Sequence, residues 1–198
     1  MASPPPDALT RLLAGLTRAL EVRQIPFMLI GGQAVLLHGR PRLTDDVDVT
    51  LGVGPDHLGR VLEACSAIGL EPLPNDVPGF VAETFVLPTR HEASAMRVDL
   101  IFSTLPYEAQ AIGRAIRIPI GGTAVPFATA EDLVVHKLFA GRPRDLEDVV
   151  GVIRRQGDAM DWTYVTRWVD TFAEVPGRER LREVLRQVRD EAEAEERG

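Results

Sequence analysis

From Asp46 to Val53 the chain alternates without a break: Val47, Val49, Leu51 and Val53 on one side of a period of two, Asp46, Asp48, Thr50 and Gly52 on the other. That pattern predicts a β-strand at about 47–53 with one apolar and one acidic face, so the fold must contain a sheet with a core surface and a carboxylate-bearing surface. Carboxylates on neighbouring positions of one face repel by about 3 kcal/mol per pair at ~6 Å and an effective dielectric of about 20. A solvated edge dilutes that cost, and a bound cation reverses it. An isolated Asp-x-Asp fits either reading.

A third acid bears on the choice. In 97-RVDLIF-102, Val98, Leu100 and Phe102 alternate with Arg97, Asp99 and Ile101, which leaves Asp99 as a single acid on an apolar strand. A buried, unpaired carboxylate is costly. Paired beside the first strand, this one brings Asp99 to Asp46 and Asp48, which lie two apart and project from one face. Three hard oxygen donors with an incomplete protein shell suit Mg²⁺, leaving coordination positions for phosphate oxygens and water. Ions held in this way stabilise both the attacking and the leaving oxygen of an in-line displacement at phosphorus. Asp45 is out of register and is read as ending the preceding turn.

Other residues fit that chemistry, each beside a plainer reading. Gly31-Gly32, between a buried strand at 27–30 and a helical turn at 34–38, can aim backbone N–H groups at an anion, or can simply be a tight turn. Of the 22 basic residues only Lys137 is lysine. It falls at the border of a helix's apolar face, where its stem can snorkel along the core or its ammonium can reach nucleotide phosphates. Asp145 and Asp148 are explained as an N-cap and a first-turn acid. Arg40 and Arg42, with Arg142 and Arg144, are candidates for a basic rim facing an acidic acceptor. The four histidines lack zinc-site spacing, and Cys65 reads as a small core residue.

Along the rest of the chain, helices are expected at 7–23 (capped by Asp7), 56–68, 130–140, 145–155, 162–173 and 177–195. Strands are expected at 80–87, 97–102 and 114–120, with an extended piece at 123–127 after a Gly121-Gly122 turn. The segment 71–79 reads as a loop and the acidic tail as frayed. Thr129 with Asp132 forms a capping box, and Asp145 with Asp148 a weaker acidic one. Strands early and helices late predict an α+β fold with a mixed sheet, not a doubly wound parallel sheet. A core at 1–127 and a helical subdomain at 128–198, packed on it, are the expected domains. The net charge of −7 argues against binding nucleic acid through the overall field. A single cysteine and no signal-like or membrane-length apolar run point to the cytoplasm.

The pattern Ile30-Gly31-Gly32, thirteen residues, then Asp46-Val47-Asp48-Val49, completed by Asp99, resembles the signature of the nucleotidyltransferase superfamily with the DNA polymerase β-like fold. The text 31-GGQAVLLHGRPRLTDDVDV-49, followed by 131-EDLVVHKLFAGRPRDLEDV-149, is similar to the bacterial group of AbiEii/AbiGii-type toxins and their minimal relatives. The resemblance implies a small mixed sheet flanked by helices and transfer of a nucleoside monophosphate from an NTP to an acceptor. It implies Mg²⁺ on Asp46, Asp48 and Asp99, phosphate contacts from Gly31, Gly32, Arg42, Thr44 and Lys137, and a late Asp (Asp145 or Asp148) orienting acceptor or nucleotide. For the narrower group it implies a toxin of a toxin-antitoxin pair, with tRNA as acceptor and a cognate antitoxin as partner. Two other readings stand beside it: an aminoglycoside- or lincosamide-type antibiotic nucleotidyltransferase, and a catalytically silent, nucleotide-binding, antitoxin-like module.

Overall fold

A computed structural model describes residues 6–42, 44, 46–103 and 105–195. The chain divides into two compact units, one of residues 1–32 and 43–127, the other of residues 33–42 and 128–198. Among the described residues no helix is long and apolar enough to cross a membrane.

The first unit carries a seven-stranded mixed sheet in the order β3-β4-β5-β2-β1-β7-β6. Its strands are β1 (Phe27–Ile30), β2 (Asp46–Leu51), β3 (Leu70–Pro72), β4 (Val86–His91), β5 (Arg97–Phe102), β6 (Ile116–Ile120) and β7 (Thr123–Phe127). The alternation in β2 and β5 is realised in three dimensions: Val47, Val49, Leu51, Val98 and Leu100 are fully buried. β2 and β5 run parallel and in full register, with Asp46 opposite Arg97 and Asp48 opposite Asp99. A parallel pair needs a long crossover, here through α3 (Leu58–Ser66), β3, α4 (Val77–Thr84) and β4. β1 pairs antiparallel with β2 and sets Ile30 opposite Asp48. Gly121 and Gly122, at φ 55° and 76°, make the two-residue turn between β6 and β7. Helix α1 (Pro6–Val22) buries Leu12, Leu13, Leu16 and Leu20 and packs on β7.

Several boundaries differ from the sequence pattern. Residues 77–84 form helix α4, not the end of a loop and the start of a strand. The Asp76 carboxylate caps it by accepting from the Gly79 N–H at 3.0 Å, Pro78 sits in its first turn, and it stops at Phe85 in the left-handed region, φ 59°. A good cap and a proline in the first turn outweigh the strand-like residue types. Helix α5 (Pro106–Arg114) was not expected; Pro106 starts it, and β6 begins only at Ile116. Helix α2 (Gly31–His38) begins at the glycines, β2 ends at Leu51, and α1 starts one residue ahead of Asp7. Asp45 lies outside the described residues.

The second unit consists of residues 33–42 with α6 (Ala130–Ala140), α7 (Pro143–Gln156), α8 (Trp162–Phe172) and α9 (Leu181–Glu195). α9 is regular through Glu195, so most of the acidic tail is helical; residues 196–198 lie outside the described set. Thr129 caps α6: the Asp132 N–H donates to Thr129 Oγ1 at 3.2 Å, and that hydroxyl, in place of the backbone N–H of a capping box, donates to Asp132 Oδ2 at 2.8 Å. Tyr164 donates to Asp132 Oδ1 at 2.6 Å, so this buried carboxylate ties α6 to α8. One turn on, the Nε2 of His136 is closed to solvent, and burial pushes the imidazole from its ordinary 6.5 down to about 4, against an upward pull from Asp132.

A folded-state pKa below the unfolded value means that protons favour the unfolded chain. The stability tied to His136 is therefore complete above pH 6.5 and lost as pH falls through about 4. The loss amounts to about 3 kcal/mol. In urea titrations, wild type should lose more stability than His136→Gln between pH 7 and pH 4; parallel pH profiles would show that burial of His136 is not the cause.

Candidate functional site

The in-register pairing of β2 with β5 builds one four-cornered patch on the sheet: Asp46 and Asp48 on β2, Arg97 and Asp99 opposite them on β5. All three acids are half-buried. Arg97 Nε donates to Asp99 Oδ1 at 2.8 Å. The hydrogen bond to Asp99, with the nearby charges of Asp46 and Asp48, holds the Arg97 guanidinium above its ordinary pKa. The acids repel one another, and an arginine already answers their demand for positive charge.

The two glycines act on this patch through the space they leave. A Cβ on Gly31 would lie 1.8 Å from Asp48 Oδ2 and 2.9 Å from Asp48 Cβ, so only glycine lets the β1–α2 turn close over that aspartate. Gly31 also has φ +60°, a conformation L-residues avoid. A Cβ on Gly32 would lie 2.3 Å from Thr44 Oγ1, and the same hydroxyl donates to Asp46 Oδ1 at 2.6 Å. Each glycine thus admits the group that sets one aspartate: Gly31 for Asp48, Gly32 by way of Thr44 for Asp46. The N-terminal backbone of α2 begins at these residues, where N–H groups and the helix dipole favour anions.

The donor chemistry fits a divalent cation: three carboxylates on one face of two adjacent strands, with a guanidinium standing in as counter-ion. Among the described residues, however, no group of three or more His, Cys, Asp or Glu side chains is gathered tightly enough to hold a metal. Asp99 faces Arg97, and Asp46 faces Thr44. Arg97 was not singled out from sequence; its place two residues before Asp99, on the same strand face, was the available signal.

Arg42 and Lys137 are brought together in the second unit. Lys137 is 6% exposed, and its Nζ lies 2.8 Å from both Asp145 Oδ1 and Asp148 Oδ2. Arg42 clasps Asp148 through Nε at 2.8 Å and Nη2 at 2.9 Å, and Arg142 Nε meets Asp145 Oδ2 at 2.6 Å. Burial alone would raise both aspartates. Hydrogen bonds from Arg142 and Lys137 to Asp145, and from Arg42 and Lys137 to Asp148, outweigh it and hold them below the usual carboxylate range. The capping role expected for these aspartates is not what they do: Arg142 is the N-cap of α7 and makes no side-chain cap, while both acids turn to Lys137. Of the expected basic rim, Arg40 and Arg144 are exposed, whereas Arg42 and Arg142 are held by aspartates. Cys65 is buried, its thiol pushed up to about 12 by burial.

Solved structures share this architecture. A nucleotidyltransferase-like antigenic protein from Paracoccidioides brasiliensis superposes with a TM-score of 0.56 at 18% identity, over 98% of this chain and 94% of that one. The lincosamide antibiotic adenylyltransferase LnuA, lincomycin-bound, gives 0.51 at 17% identity, over 76% and 98%. The antibiotic-resistance factor ANT(2'')-Ia gives 0.50 at 15% identity, over 98% and 97%. At such identities the likeness is one of fold. No curated protein matches the chain in sequence at a significant level. A family model described as "Nucleotidyltransferase of unknown function (DUF6036)" matches residues 8–194, nearly the whole chain, and this chain with its aspartate strands and Gly-Gly turn belongs to that nucleotidyltransferase family.

Proposed function

We propose that this nucleotidyltransferase moves a nucleoside monophosphate from a Mg²⁺-bound NTP to a hydroxyl of a small organic acceptor, releasing pyrophosphate. The supporting observation is the joint one of register and space: Asp48 lies opposite Asp99 on adjacent parallel strands, and Gly31 closes over Asp48 with no room for a Cβ. Asp46, Asp48 and Asp99 would hold the metal, which when bound supplies charge neutralisation at the phosphates and at both reacting oxygens. Gly31 and Gly32 present backbone N–H groups to phosphate oxygens. Thr44 keeps Asp46 aimed, and Asp99 orients the acceptor hydroxyl and takes up its proton. Arg97 must yield Asp99 for this to happen. Lys137 and Arg42 can serve phosphates only by giving up an aspartate.

The small acceptor is supported by charge. Net charge is −7, and Arg42 and Arg142 are already neutralised by Asp148 and Asp145. The fold is shared with LnuA, solved with lincomycin bound. A second reading, a toxin of a toxin-antitoxin pair that modifies tRNA in the cytoplasm, draws on the 131–149 sequence pattern and on exposed Arg40 and Arg144.

Both are tested in one assay. Purified protein with Mg²⁺ and each α-labelled NTP is offered tRNA, lincosamides and aminoglycosides in separate reactions. Label should pass to a small acceptor and fall by at least about a thousandfold in Asp46→Ala/Asp48→Ala. Label on tRNA alone selects the toxin reading. An undiminished double variant would remove these aspartates from the chemistry.

A further inference from the structure

The order of the strands gives the patch a direction. β1, with the Gly31-Gly32 turn, lies on one side of β2, and β5 followed by β4 lies on the other. On the proposed function, which this inference rests on, pyrophosphate leaves toward the glycines. An in-line attack must then come from the opposite side, past Asp99 toward β4.

A groove opens there on the same face of the sheet. Pro88 is the register partner of Asp99, Arg97 precedes Asp99 by two residues, and both line the groove. Its far wall is made by residues 73–76 and helix α4, and its volume is about 630 Å³. That size suits a drug-sized molecule. The wall offers Leu73 and Phe80, 42% and 39% exposed, as an apolar surface. It also carries two acids, Asp76 and Glu83, both exposed. Among the described residues of the lining the one cation, Arg97, is paired with Asp99.

We propose that this groove is the acceptor subsite and that its occupant is a small hydroxyl-bearing amine with an apolar face. The apolar part would lie on Leu73 and Phe80, the ammonium would meet Glu83 and Asp76, and the hydroxyl would point past Pro88 to Asp99. A phosphodiester chain fits poorly because both wall acids repel it. In the reaction, the acceptor oxygen bonds to the α-phosphorus, the bond from that phosphorus to the oxygen joining it to the β-phosphorus breaks, that oxygen leaves with pyrophosphate, and the acceptor proton passes to Asp99 or solvent.

Binding is measurable without turnover. Hydroxylated amines (aminoglycosides and lincosamides) and, as an anionic comparator, tRNA are titrated into the full chain and followed by NMR. The same titrations are made with Glu83→Lys and Phe80→Ala, both at exposed positions, after circular dichroism confirms the fold. At least one amine should bind wild type, and each variant should raise its Kd tenfold or more. The proposal is overturned if no amine binds, if binding ignores both variants, or if tRNA is the sole ligand. Mg²⁺–NTP binding to wild type and to Asp46→Ala/Asp48→Ala is measured separately. Its failure beside intact amine binding would sink the transferase reading and leave the groove; the converse would do the reverse.

Discussion

Replacing Lys137 with methionine will lower folding stability by about 3 kcal/mol or more. The ammonium is shared at 2.8 Å by two aspartates whose side chains are only 6% exposed. Methionine fills much of the volume but leaves two buried carboxylates facing each other, with one arginine apiece. Removing one partner of a buried ionic group costs about 3–5 kcal/mol because the remaining charge is stranded. Arg42 and Arg142 should keep the loss near the lower end. Against a typical stability of about 5–15 kcal/mol this is a large fraction, readable as a shift in urea midpoint.

The pH dependence identifies the cause. In wild type both aspartates are held below their ordinary 3.8. Their contribution is therefore present above pH 3.8 and lost as pH falls through the lower, folded-state values. Without Lys137 burial dominates and the carboxyls protonate more readily, so the two stability profiles should converge in acid. Were Lys137 a phosphate ligand and nothing more, Lys137→Met would leave stability within about 0.5 kcal/mol and raise only the KM for NTP. That outcome would remove the buried network as an explanation for the lysine.

The strands bearing Asp46, Asp48 and Asp99 were legible because a period of two with a fully apolar side leaves little alternative to a sheet face. The register that sets Asp48 opposite Asp99 was not, since pairing is decided by a crossover through α3, β3, α4 and β4. Helix α4 was hidden by strand-like residues at 80–87 and by a cap, Asp76, in a segment of turn formers. Helix α5 escaped because it buries only Tyr107 and Ala111, too narrow a stripe to show as periodicity. Lys137 stood out as the sole lysine, yet its partners were read as caps. They lie on α7, across the turn from α6, and a single helical wheel cannot show contacts between two helices. The glycines suggested an anion cradle; that they also make room for Asp48 and Thr44 depends on contacts a sequence does not display.

Gly31→Ala should reduce nucleotidyl transfer at least about a hundredfold, the scale of loss when a reacting group is misplaced by about 1 Å. Two costs combine. At φ +60° an L-residue pays about 1–2 kcal/mol in backbone strain. The new methyl also meets Asp48 at Oδ2, Cγ and Cβ, at 1.8, 2.7 and 2.9 Å. Contact with Cβ is decisive: rotating the carboxylate away does not move the root of the side chain, so the turn or β2 must shift. Either movement disturbs the pairing of Asp48 with Asp99 on which the proposed metal site depends. Gly59→Ala and Gly113→Ala are the controls, because a Cβ there meets nothing within 4 Å. In helices those changes should be neutral or stabilising by up to about 1 kcal/mol. The readouts are melting temperature, Mg²⁺–NTP affinity and label transfer on the same samples. Transfer within twofold of wild type in Gly31→Ala would mean that Asp48 is not held by this turn, and the acid patch would lose its claim to the chemistry.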